Sequence, residues 1–146
     1  MAERTEGAID IAASPETVLG VIVDFEAYPQ WATGVKNIEV LEKDAAGRGL
    51  VVRFEVTAVG MSGWYILNYD HSAGDAGVSW TFQQGSPFKD LQGEYGLAPT
   101  DAGTHVTYRA AVEPGIPMIG FMKRQVAKMA IDTALKGLKK RVESLA

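Results

Sequence analysis

The residues best suited to chemistry in this chain are one short run, Asn68-Tyr69-Asp70-His71, and two tyrosines further on, Tyr95 and Tyr108. Asp70 beside His71 has the composition of a general acid/base pair. The run alternates like a strand, however, and neighbours on a strand point to opposite faces, so those two cannot serve one pocket. Asn68 can share a face with Asp70, or Tyr69 with His71, and the alternation alone leaves both options open. The acid/base candidates are therefore Asn68, Asp70, Tyr95 and Tyr108. His71 and His105 stand alone, with His105 on the polar side of its strand, so a two-histidine metal site is not expected. The absence of cysteine excludes disulfides, thiolate zinc sites and cysteine nucleophiles. Gly60-Met61-Ser62-Gly63 lacks the further glycine and the strand-to-helix turn of a nucleophile elbow. Gly47-Arg48-Gly49 lacks the helix that must follow a phosphate cradle. Both read as hairpin turns, and no metal and no cofactor are expected.

The elements that must position these groups follow from composition and periodicity. With 146 residues, 47% hydrophobic and 22% charged, the chain suits a single domain spanning 1–146 with a sizeable core. No apolar run is long enough to span a bilayer, and the start carries Glu3, Arg4, Glu6 and Asp10, so neither a membrane span nor a signal peptide is expected and a cytoplasmic location is. A net charge of −4 argues against nucleic acid as partner. The charge is segregated: from Met118 onward seven basic residues face only Asp132 and Glu143, which makes that segment +5 and the remainder −9. A basic helical face of this kind can sit on an anionic membrane or an acidic partner, or can simply be solvated.

Residues Arg4 to Ala13 alternate as a first strand. Ser14-Pro15-Glu16-Thr17 then reads as a helix start, with a capping hydroxyl, proline at the first position and an acid at the positive end of the dipole. Pro29 opens a second short helix that Gly34 is placed to end. From Val35 to Glu113 the period is two, broken by turn signals at Asp44 to Gly49, Gly60 to Gly63, Ala73 to Gly77, Gly85 to Pro87 and Thr100 to Gly103, which predicts six strands in a meander. Each has one apolar side: Val52, Phe54, Val56; Val78, Trp80, Phe82; Leu91, Tyr95, Leu97; Val106, Tyr108, Ala110. Arg53, Glu55, Glu94 and Arg109 fall on the other side as cross-strand charge pairs. The strand Trp64 to His71 mixes apolar and polar residues on both sides, and its inner face is not assigned.

Ile116 to Leu145 is the one long helical pattern, with apolar residues at Ile119, Met122, Val126, Met129, Ala130, Ala134, Leu138, Val142 and Leu145. Met118, Phe121, Met122 and Met129 spread around the axis, so the first half is expected to touch two apolar surfaces, one the sheet and the other a cavity, unless they only fill an irregular core. The predicted class is α+β, a curved seven-stranded antiparallel sheet around a long C-terminal helix with two short helices after the first strand. A strongly curved sheet cannot close on one helix, so concave apolar space is expected beneath it. The predicted lining is Trp31, Phe54, Val56, Trp64, Trp80, Phe82, Leu91, Tyr95, Tyr108, Met118, Met122 and Val126.

This order of elements, with the opening Ile9-Asp10-Ile11-Ala12-Ala13-Ser14-Pro15-Glu16, the stretch Asp24-Phe25-Glu26-Ala27-Tyr28-Pro29-Gln30-Trp31 and the final helix, resembles the START-like (SRPBCC) superfamily and its helix-grip, Bet v1-like fold. Within it the chain is similar to the branch of bacterial polyketide cyclases and coenzyme Q-binding proteins, along its whole length. The Tyr28-Pro29-x-Trp31 signature belongs to packing and the entrance rather than to catalysis. The resemblance implies binding or transport of a hydrophobic small molecule, a lipid, isoprenoid quinone or polyketide. It also implies an alternative, a polyketide cyclase/aromatase-type enzyme, while the charge segregation leaves a second, an interaction module docking through the basic helix face on a partner or in peripheral contact with a membrane. Enzyme members place an arginine on the strand matching Trp64 to His71; this chain has none there. Nothing in the sequence fixes the oligomeric state.

Overall fold

The computed structural model describes residues 3–58, 61–113, 115 and 120–145. Strand β1 (Glu3–Ile11) leads into helix α1 (Pro15–Ile22), a 3-10 turn at Phe25–Ala27 and the short helix α2 (Tyr28–Trp31). The Ser14 hydroxyl accepts the Thr17 amide at 3.3 Å and Pro15 occupies the first turn, which is why the chain turns helical at the end of β1. Gly34, at φ 87°, lets the chain leave α2 in a conformation that side chains avoid, and a Cβ there would lie 2.6 Å from the Thr57 carbonyl oxygen.

Six strands follow as a meander: β2 (Val35–Lys43), β3 (Gly49–Ala58), β4 (Met61–Asp70), β5 (Gly77–Ser86), β6 (Asp90–Thr100) and β7 (Gly103–Glu113). They form one antiparallel sheet in the order β1-β7-β6-β5-β4-β3-β2, so the first strand closes against the last. Edge strand β2 carries Lys36, Glu39, Glu42 and Lys43 and repeated register shifts against β3, devices that discourage pairing with another chain. The ladder between β5 and β6 runs only from Gly77 to Trp80 opposite Gly96 to Gly93, after which the two strands part.

Register settles the face of β4. Val52, Phe54 and Val56 of β3 point inward and pair with Leu67, Tyr65 and Gly63. Directly opposed residues share a face, so Tyr65, Leu67 and Tyr69 are inner while Trp64, Ile66, Asn68 and Asp70 are outer.

Helix α3 (Gly120–Ser144) lies along β1 and touches α1 and α2. Its approach depends on Gly7: a Cβ there would sit 2.8 Å from Ile131 Cγ2 and 3.2 Å from Leu135 Cδ1. The buried line of the helix is Ala127, Ile131, Leu135, Leu138 and Val142. This corrects the stripe expected from sequence. Leu138 and Val142 belong to it, but Met122, Met129 and Ala130 are exposed, as is Leu145, while Val126 and Ala134 are half-buried. Contact with β1 at Gly7 fixes the rotation of the helix, so Ile131 and Leu135 enter the core and the methionines turn outward. The expected surfaces for Phe121, Met122 and Met129, sheet, cavity or core filler, are therefore not found. Ile116 to Ile119, Met118 among them, lie outside the described residues.

Candidate functional site

The inner face of the sheet converges on a continuous aromatic cluster. Phe54 stacks on Tyr65 with ring centroids 5.0 Å apart, and Tyr65 meets Phe88 edge-on at 5.3 Å. Phe25 lies 4.6 Å from Tyr69, which reaches Trp80 at 5.9 Å. Trp80 in turn contacts Tyr95 at 5.6 Å and Tyr108 at 5.7 Å, and the two tyrosines meet at 4.6 Å. Tyr28 joins from above through Trp31 at 5.0 Å and Phe54 at 6.0 Å. Alternation puts the strand residues on this face, and the turn that follows α1 aims Phe25 and Tyr28 down onto it.

All five tyrosines of the chain belong to this cluster. Burial pushes every one of their phenols up, Tyr108 to about 12. For Tyr28, Tyr65, Tyr69 and Tyr95 a further cause is repulsion from neighbouring phenols, Tyr108 among them in each case. At neutral pH each is an un-ionised O–H donor. Tyr28 donates to the Ile22 carbonyl oxygen. Among the described residues the hydroxyls of Tyr65, Tyr69, Tyr95 and Tyr108 have no hydrogen-bond partner, yet they are not sealed off; Trp31 Nε1 alone of those residues' side-chain atoms is fully enclosed without a partner. Each of the four therefore keeps accessible surface, where water or a ligand oxygen can accept from it. At the end of the cluster the His71 ring faces Tyr69, and its Nε2 donates to the Gly49 carbonyl oxygen at 2.7 Å.

Of the acid/base candidates, Tyr95 and Tyr108 lie together inside. Asn68 and Asp70 lie on the outer face, where Asn68 accepts from Gln83 at 3.4 Å and Asp70 accepts the Ser72 amide at 2.8 Å; hydrogen bonding from the Ser72 side chain first, and from its amide second, holds the Asp70 carboxyl below its ordinary range. The structure brings the predicted lining residues Trp31, Phe54, Val56, Trp80, Phe82, Leu91, Tyr95 and Tyr108 to the inner side. It does not bring Trp64, whose ring faces outward beneath the Arg53 guanidinium at 5.2 Å, nor Met122, which is exposed. Val126 is half-buried on the helix and Met118 lies outside the described residues. Sequence reasoning missed Phe25, Tyr28 and Phe88, and left Tyr65 and Tyr69 unassigned. Cross-strand pairing with the clear β3 pattern was the available signal for the last two; Phe88 follows the β5 turn, where alternation carries no information.

The outer face is of another kind. Arg109 binds Glu6 at 2.9 Å and Glu94 at 3.4 Å, Arg53 reaches Glu55 at 3.7 Å, and His105 pairs with Asp10 at 2.8 Å. An open concavity of about 600 Å³ lies here where β5 and β6 part, lined by Arg4, Glu6, Gln92, Glu94, Arg109 and neighbours. Arg109, Glu6 and Glu94 satisfy one another within it, whereas the tyrosine hydroxyls do not. The candidate site is therefore the inner aromatic face. Among the described residues no group of three or more histidines and carboxylates is placed to hold a metal ion.

The comparisons agree with this geometry. The family described as polyketide cyclase / dehydrase and lipid transport matches residues 2–143, and the chain belongs to it. A START superfamily protein from Mycobacterium smegmatis superposes with a TM-score of 0.91 at 29% identity, over 98% of this chain and 99% of that one. An aromatase/cyclase from a Streptomyces species gives 0.82 at 16% identity, over 98% and 94%. A STAR-related lipid transfer protein from Xanthomonas axonopodis gives 0.73 at 21%, over 96% and 85%. The last two likenesses concern the fold alone. No curated protein sequence matches the chain. The fold is thus START-like and Bet v1-like, and family membership supports binding of a hydrophobic ligand. No helix among the described residues is long and apolar enough to cross a membrane.

Proposed function

We propose that this protein binds a hydrophobic small molecule between the inner sheet face, α1, α2 and α3, and that the ligand carries ring or chain oxygens, as an isoprenoid quinone or a polyketide does and a plain hydrocarbon chain does not. The observation that carries this reading is the set of four tyrosine hydroxyls with no partner among the described residues, set in a wall of aromatic rings. Neutral phenols donate to carbonyl oxygens, and the rings stack on a planar body. A ligand without acceptors would leave those donors unpaired.

The test is titration of the purified protein with a quinone and with a long-chain alkane, read by tryptophan fluorescence, with Trp80 in the cluster. The quinone is expected to quench and bind more tightly, and Tyr95→Phe with Tyr108→Phe is expected to weaken it about tenfold, the equivalent of one or two ordinary hydrogen bonds. Equal affinity for the alkane, with quinone binding unchanged by the double substitution, would sink the oxygenated-ligand reading.

A cyclase-type activity is the second reading, and it rests on the same phenols. Tyr108, held un-ionised up to about 12, can protonate an enolate oxygen as a general acid. Asn68 and Asp70 lie on the opposite face and do not enter this version. Turnover of a poly-ketone by the wild type, abolished in Tyr108→Phe with binding retained, is its expected signature.

A further inference from the structure

Helix α3 carries a face that its own fold leaves uncovered. Its buried line begins only at Ala127. Away from that line Phe121 (58% exposed), Met122 (48%) and Met129 (66%) stand in solvent, with exposed Gln125 among them. Spacings of three, four and seven put Met122, Gln125 and Met129 on one side of the helix, and Phe121 adjoins them through Gln125, four residues on. The same side continues into the second half as Lys136 and Lys140, both exposed and neither holding an ion pair or hydrogen bond among the described residues. The acids near this side are committed elsewhere: Asp132 to Lys128 at 3.4 Å, Glu143 to Lys139 at 3.2 Å and to the Ala12 amide at 3.1 Å. One helix side therefore presents an apolar stripe about 12 Å long followed by two uncommitted ammonium groups.

Single exposed apolar residues are ordinary, but a contiguous set beside unpaired cations marks an interaction surface. A second copy of the chain is a poor occupant, because it would set two +5 helices against each other. A soluble acidic protein would also take the lysines together with the Met and Phe side chains, and vesicle binding separates it from a bilayer. A bilayer with anionic headgroups takes both halves at once: the apolar chains enter the headgroup and acyl boundary, and the ammonium groups meet phosphates. The remaining −9 of the chain is repelled by the same surface, which fixes the orientation. We infer that the protein docks reversibly on anionic membranes with the first half of α3 against the lipid, whatever the ligand inside.

Co-sedimentation with phosphatidylcholine vesicles, alone or mixed with phosphatidylglycerol, tests this. The wild type is expected to pellet with the mixed vesicles, less so as salt is raised. Phe121→Ser with Met122→Ser and Met129→Ser is expected to lower partitioning roughly tenfold, and Lys136→Glu with Lys140→Glu to lower it on the mixed vesicles only. Both sets are exposed, so an unchanged melting temperature serves as the folding control. Three results would overturn the inference: a triple-serine variant that partitions like the wild type, a wild-type dimer that this variant dissociates, or a wild type that ignores both vesicle types and so leaves the face to a protein partner. None of these bears on quinone binding, so this inference and the ligand reading fail separately.

Discussion

The two faces of the seven-stranded sheet are built from the same alternating strands and solve opposite problems. On the outer face charges are matched across strands: Arg109 lies between Glu6 and Glu94, and His105 meets Asp10. On the inner face charge is absent from the cluster and the polar atoms are phenols, four of them without a partner among the described residues. The difference teaches where to look for function. A polar group that its own fold satisfies is explained by stability, whereas an accessible donor in an apolar wall that the fold leaves unpaired is free to meet something that arrives later.

Alkali should break this contrast most. All five phenols are raised by burial, so the folded state holds their protons more tightly than the unfolded chain does. Stability is accordingly full below about pH 10 and falls as pH rises from there through about 12, where Tyr108 titrates in the folded protein. Absorbance at the phenolate band is expected to rise only together with loss of tertiary structure; a tyrosine ionising at its ordinary pKa in the intact fold would contradict the enclosed cluster. Phe54→Ala comes next. It removes a ring that touches Phe25, Tyr28 and Tyr65, with an expected loss of about 3–5 kcal/mol in denaturant unfolding. Gly7→Val should cost about 1–3 kcal/mol by the same measurement, because the added atoms meet Ile131 and Leu135 and push α3 from β1. Tyr95→Phe is expected to leave unfolding nearly unchanged, since its hydroxyl holds no partner among the described residues, while weakening the quinone. Arg109→Ala, on the exposed face, should leave the melting temperature within error in moderate salt.

Much of this was legible beforehand because period two and turn chemistry are local. The strands β3, β5, β6 and β7 turn inward the residues that alternation assigns, and the charges fall outside. Trp64 illustrates the limit. Its strand carries apolar residues on both sides, since Trp64 is covered by Arg53 and Ile66 is buried on the outer face, so hydrophobicity could not choose and only pairing with Phe54 did. Met122 and Met129 show the same limit on the helix: apolar type did not mean buried, because contact with Gly7 set the rotation.

The sequence by itself determined the order of elements, the turns, the charge segregation and the apolar side of most strands, since each depends on neighbours a few residues away. Only the tertiary structure decided that Tyr65 and Tyr69 join Tyr95 and Tyr108, that Phe25, Tyr28 and Phe88 complete the aromatic wall, and that the start of α3 faces outward. Those outcomes depend on register between strands and on how closely a helix approaches a glycine, quantities that arise from pairs of residues far apart in the chain.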